Sequence, residues 1–141
     1  MYSSRKKSSN IHLVSGNEGA GRSILVVEDD AVALDLLAEI LRRNQFRVWV
    51  ASSVDMAIGL LEKTAVDLVL SDLRMPDRDG MDLLRHIREN NSDLPVVLLS
   101  AFGDEHLWVE ALSAGAVDLI PKPFKKQEII DVINRTLSGR G

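Results

Sequence analysis

The stretch Leu68-Val69-Leu70-Ser71-Asp72-Leu73-Arg74-Met75-Pro76 decides how this chain is read. Leu68 to Ser71 reads as a buried strand that stops on a carboxylate, Asp72, with Pro76 and Gly80 close behind. Open α/β sheets collect their ligand chemistry where strand ends meet turns. An Asp at such a place also serves as an ordinary turn residue. The other strand ends decide between the two readings.

Toward the N-terminus, Ser23-Ile24-Leu25-Val26-Val27 is a second apolar strand, followed at once by Glu28-Asp29-Asp30. A helix from about Ala31 to Asn44 carries Leu34, Leu37, Ala38 and Leu41 on one face. Arg47 to Ala51 is a further strand, with Trp49 read as packing, and Ser52 or Ser53 caps a helix burying Ala57, Ile58 and Leu61. Beyond the opening stretch, Gly80 leads into a helix with Met81, Leu84 and Ile87 on its apolar face. Pro95 to Ser100 is the fourth strand in chain order. A weaker helix from about Glu105 to Ser113 is ended by Gly115. Asp118-Leu119-Ile120 is a short fifth strand closed by Pro121-Lys122-Pro123. A helix from about Lys125 to Leu137 then buries Ile129, Ile130, Ile133 and Leu137.

This is a (βα)5 pattern, an α/β chain whose strands are apolar on both faces and alternate with amphipathic helices. It predicts a doubly wound parallel sheet covered on both sides. Right-handed crossovers place all the carboxyl ends of the strands on one rim. Glu28, Asp29, Asp30, Asp72, Ser100 and Lys122 therefore converge from four separate stretches of chain.

The bulk composition narrows the classes. The 141 residues are 45% hydrophobic, enough for one globular domain with a core, and the absence of cysteine excludes disulfides, thiolate catalysis and Cys-ligated metals. No apolar run approaches the roughly 20 residues that cross a bilayer, and no signal-peptide core opens the chain, so a soluble cytoplasmic protein without membrane partners is the expectation. The net charge is −4: residues 1–22 hold Arg5, Lys6, Lys7 and Arg22 against Glu18, a balance of +3, leaving 13 basic and 20 acidic residues, −7, for the remainder. An acidic body is poorly matched to a phosphate backbone, so direct nucleic-acid binding is not expected. Residues 1–22 read as a disordered or flexible tail, of the kind that an expression vector can also append. Its Gly16 to Gly21 segment lacks the spacing and flanking elements of a phosphate loop.

Clustered carboxylates repel one another, and a hard divalent cation such as Mg2+ relieves the repulsion through oxygen ligands. With a lysine and a hydroxyl added, the rim suits a phosphoryl group, and a carboxylate can itself be the nucleophile that forms an acyl phosphate. Each residue alone has a plainer role. The acidic triplet suits a helix N-terminus, Ser100 a cap, and Lys122 a loop. His12 falls in the tail, and His86 and His106 fall on helices without metal-ligand spacing. Trp108 is read as partly exposed, marking a candidate partner surface.

Val27-Glu28-Asp29-Asp30, Ser71 to Pro76 with Asp79-Gly80, Leu99-Ser100-Ala101 and Pro121-Lys122-Pro123-Phe124 together resemble the receiver domain of two-component response regulators, the fold of the stand-alone chemotaxis regulator. The resemblance assigns 23–138 to the domain and 139–141 to a C-terminal stub. It implies a flavodoxin-like sheet of strand order 2-1-3-4-5. It implies that Asp72 accepts a phosphoryl group from a phosphohistidine on a sensor histidine kinase or a histidine phosphotransfer domain. Mg2+ is then held by Asp29, Asp72, the Arg74 carbonyl and, through water, Glu28, with Asp30 of lesser weight. Ser100 and Lys122 bind the phosphoryl oxygens, and small Ala101 leaves room for the group.

The family's switch surface, helix four with strand five and helix five, is also its usual dimer face. Two departures stand out. Leu119 occupies the position where the family often carries a switch aromatic. The Arg74 side chain is placed to look across the site, where it would shield the phosphoryl group from water. The reading implies a signalling switch with slow autodephosphorylation and not a classical enzyme. Its output domain or protein partner is absent from the chain, which is either a stand-alone regulator or part of a longer one. The alternatives are a docking-only pseudo-receiver, which would be expected to lack Asp72 or Lys122, and an aspartyl-nucleophile phosphohydrolase. The latter class usually carries Asp-x-Asp after the first strand, where this chain has Glu28-Asp29-Asp30-Ala31.

Overall fold

The computed structural model describes residues 21–90 and 93–139. In chain order the elements are β1 (Ser23–Val27), α1 (Ala31–Arg43), β2 (Arg47–Ala51), α2 (Val54–Lys63), β3 (Leu68–Asp72), α3 (Gly80–Asn90), β4 (Val96–Ser100), a 3-10 turn (Glu105–Leu107), α4 (Trp108–Ser113), β5 (Asp118–Pro121) and α5 (Lys126–Gly139). All strand pairs are parallel, and the order is β2-β1-β3-β4-β5. This is the doubly wound α/β sheet that the alternating pattern predicts.

Period-two alternation sends neighbouring strand residues to opposite faces, and both faces are covered. Leu25, Val27, Val69, Val96 and Leu98 join a core with Ala57 of α2, Leu83, Leu84 and Ile87 of α3 and Ala111 of α4. Ile24, Val26, Leu68, Leu70, Val97 and Leu99 join a second core with Leu34, Leu37 and Leu41 of α1 and Ile129 and Ile133 of α5. Every residue of β3 and β4 is buried. The edge strand β2 departs from the pattern: Val48 and Val50 pack on the second core, while Trp49, expected as packing, faces outward at 37% exposure.

Local chemistry fixes the element ends. Asp30 caps α1, its Oδ1 accepting the Val32 N–H at 3.0 Å, and Ser53 rather than Ser52 caps α2 by accepting the Met56 N–H at 3.1 Å. Asp79 and Asp82 exchange backbone-to-carboxylate bonds at 2.9 and 3.0 Å, a reciprocal box that starts α3. Gly115, at φ +111, ends α4. The ladder carries β3 one residue further than the sequence suggests, to Asp72, because the following Leu73 N–H still bonds Leu99 O at 2.9 Å. The fourth helical stretch divides into a 3-10 turn and a six-residue helix. Ile58 and Leu61, expected to be buried, are half-buried along a groove between α2 and α3 that His86 also lines. Of the stretch read as tail, 1–20, with His12, lies outside the described residues. Gly21 and Arg22 bond the fold through Gln45 O and the Arg47 N–H.

Gly80 is required by close approach. A Cβ there would lie 2.5 Å from Asp72 O and 3.0 Å from Leu73 Cα, both backbone atoms. Gly80→Ala is expected to lower unfolding stability by about 1–3 kcal/mol, as overpacking against backbone does, read as a reduced urea midpoint at unchanged slope.

Candidate functional site

The register levels the strand ends. Val27 pairs with Ser71, Asp72 with Leu99, and Ser100 with Pro121. Glu28, one residue past Val27, therefore stands beside Asp72, and Lys122 follows Pro121 with its own N–H on Ser100 O at 2.8 Å. The Lys122–Pro123 peptide bond is cis.

Glu28 and Asp72 are buried, at 2% and 7% exposure, and Asp29 is exposed. One oxygen from each of the three lies within 4.8 Å of the others, and they form the grouping of carboxylates or histidines able to hold a metal among the described residues. His86 and His106 stand apart from it. Lys122 Nζ lies 3.2 Å from Asp72 Oδ1 and 3.3 Å from Glu28 Oε2. Burial is the main cause holding the Glu28 carboxyl above its ordinary pKa; the Asp30 N–H at 3.2 Å pulls the other way, the Asp72 charge adds to the rise, and Lys122 opposes it. Burial also works against the Lys122 ammonium, but the Asp72 and Glu28 charges outweigh it and hold its pKa above the ordinary value. Three clustered carboxylates, two of them paired with one ammonium, present an excess of hard oxygen donors, a donor set suited to a hard divalent cation.

Asp30, read as the lesser acid, is engaged in capping α1. Ser100 is buried at the end of β4, and Ala101 after it is exposed. Leu119 is buried and pairs with Leu98. The Arg74 guanidinium, expected to look across the site, is held by the β4–α4 loop, its Nε and Nη2 donating to Asp104 Oδ1 at 3.1 and 2.9 Å. Asp104 Oδ2 accepts the Ala101 N–H at 3.2 Å. The Arg74 bond holds the buried Asp104 carboxyl below the ordinary aspartate pKa; burial opposes this, and the Ala101 N–H assists.

Asp104 was not singled out from the sequence, although an acid three residues past Ala101 is a recognisable turn-capping spacing. Nor was the hydrogen bond from Trp108 Nε1 to Ser100 Oγ, 3.2 Å long, which spans eight residues with no periodic signal.

A five-stranded parallel sheet of order 2-1-3-4-5 with an acidic rim and an opposing lysine is a doubly wound α/β fold with its polar groups gathered at the carboxyl ends of the strands. The chain belongs to the response regulator receiver domain family, whose model matches residues 24–134. It is 33% identical over 116 residues to the chemotaxis protein CheY of Bacillus subtilis, covering 82% of this chain and 97% of that protein. It is 40% identical over 114 residues to the transcriptional regulatory protein CpxR of Klebsiella pneumoniae, covering 81% and 48%. Against the response regulator protein TodT of Pseudomonas putida it is 31% identical over 114 residues, and it spans 50% of that relative's length. Among solved structures, the receiver domain of NtrX from Brucella abortus superposes with a TM-score of 0.79 at 36% identity, covering 82% of this chain and 98% of that one.

Glu28→Gln keeps the hydrogen-bonding shape and removes one buried charge. It is expected to raise the stability of the metal-free protein at neutral pH, because a carboxyl whose pKa is raised on folding costs stability when ionised, and Lys122 keeps Asp72 as a partner. The test is the urea midpoint in the presence of a chelator.

Proposed function

We propose that the chain is the phosphoacceptor module of a two-component signalling system, and that Asp72 receives the phosphoryl group. The observation that carries this reading is the Asp72 carboxylate held 3.2 Å from Lys122 Nζ with Glu28 and Asp29 oxygens alongside. An Asp72 oxygen attacks the phosphorus of a phosphohistidine on a sensor kinase or phosphotransfer domain. The new P–O bond forms as the P–N bond breaks, and the imidazole leaves with the electron pair and takes up a proton. Lys122 pairs with one phosphoryl oxygen, and Ser100 donates to another. Small Ala101 admits the group.

Asp29, Asp72, the Arg74 carbonyl and, through water, Glu28 would hold Mg2+. When bound, the ion supplies positive charge that offsets the carboxylates and the incoming phosphoryl oxygens. The dianionic product biases a two-state arrangement of α4, β5 and α5. Phe102 and Val109, exposed at 93% and 75%, with Leu112 and Val117 nearby in sequence, support a partner or homodimer surface there. The chemistry is phosphoryl acceptance in the cytoplasm followed by slow self-hydrolysis, with output through a further domain or a protein partner. Among the described residues, no helix is long and apolar enough to cross a membrane.

Incubation with acetyl phosphate and Mg2+ is expected to add one phosphoryl group, read by intact mass. Asp72→Asn or a chelator should abolish the addition. A folded parent that stays unmodified both with acetyl phosphate and with a panel of phosphorylated histidine kinases would overturn the assignment.

A further inference from the structure

The switch hydroxyl already has a partner in the unmodified chain. Ser100 is 1% exposed, and its Oγ accepts the indole N–H of Trp108 at 3.2 Å, while Trp108 itself is half-buried and opens α4. A serine hydroxyl has one proton and two lone pairs, whereas an indole has one proton and no acceptor, so Trp108 can only hold a group that accepts. Leu119, where an aromatic is expected, is aliphatic, and Trp108 packs against the same apolar core that contains Leu119. α4 thus sets an aromatic ring against this core, with a polar handle directed at Ser100.

We propose that Trp108 is a positioning residue for Ser100. Its N–H holds the hydroxyl toward α4 in the unmodified chain. Movement of that hydroxyl onto a phosphoryl group at Asp72 releases the indole, so α4 registers the state of Asp72 directly. The inference rests on Asp72 being the acceptor. The oxygen turns on the single Cα–Cβ rotor of Ser100, and staggered wells make its positions discrete. The neighbouring Ala101 N–H is held in the same state by Asp104, so the first peptide after β4 is restrained together with the hydroxyl.

The test uses Trp108→Phe, which keeps a ring in the core and deletes the donor. Removing one hydrogen bond from the unmodified state is expected to speed Asp72 phosphorylation by acetyl phosphate about fivefold. The same substitution in a Ser100→Ala background should have no effect, the non-additivity expected of a direct pair. A second readout comes from Trp49→Phe, which leaves Trp108 as the sole tryptophan of the two in the chain. Its emission should shift on phosphorylation. In metal-free protein without phosphodonor, Ser100→Ala should shift it and Ser100→Thr should preserve it.

An unchanged rate in Trp108→Phe, or an equal effect with and without the Ser100 hydroxyl, overturns the proposal. So does static emission in a chain that mass analysis shows to be phosphorylated, and in that case the acceptor assignment survives. A folded chain that takes no phosphoryl group removes both readings together.

Discussion

Carboxylates just past β1 and at the end of β3 cluster with one ammonium at the rim of the sheet, and the remainder of the fold confines them there. Like charges a few ångströms apart in a partly desolvated place do not assemble spontaneously. Here the parallel ladders hold them, with Val27 level with Ser71 and Asp72 level with Leu99, and each ladder is locked by strands buried on both faces. Lys122 offsets part of the repulsion, and burial keeps Glu28 reluctant to ionise. The arrangement costs stability at the site and offers a ready place for added positive charge.

Around this fixed rim the loops form a cross-braced layer. The β3–α3 loop reaches the β4–α4 loop through Arg74 and Asp104, and Asp104 in turn restrains the Ala101 peptide. The Arg74 side chain is 60% exposed while the Asp104 side chain is 6% exposed, so solvent screens the brace from one side only and the guanidinium keeps a buried carboxylate paired.

Much of this was legible from residue order. Apolar strands with Glu28, Asp72, Ser100 and Lys122 at their ends define both the parallel sheet and the rim, because parallel topology brings strand ends together wherever they lie in the chain. Trp49 shows where such reading stops: alternation on an edge strand does not reveal that one face lacks full cover. The Arg74–Asp104 pair and the Trp108–Ser100 bond were illegible for a different reason. They depend on side-chain direction across a loop of no fixed period, and a residue's type says only that it needs a partner. The division of the fourth helical stretch is similar, since its length depends on how the loop after β4 is braced.

The contrast between β3 and α4 carries a mechanical consequence. Asp72 ends a wholly buried central strand, whereas α4 has six residues, far fewer than the roughly 12 to 15 at which a helix becomes even marginally stable alone. Backbone amides around Asp72 are expected to exchange only with opening of the sheet, and those of α4 through smaller local openings, as buried and short exposed elements do. A change in charge at Asp72 would therefore meet a central strand held on both faces and, across the β4–α4 loop, a helix with little length of its own to hold it in place.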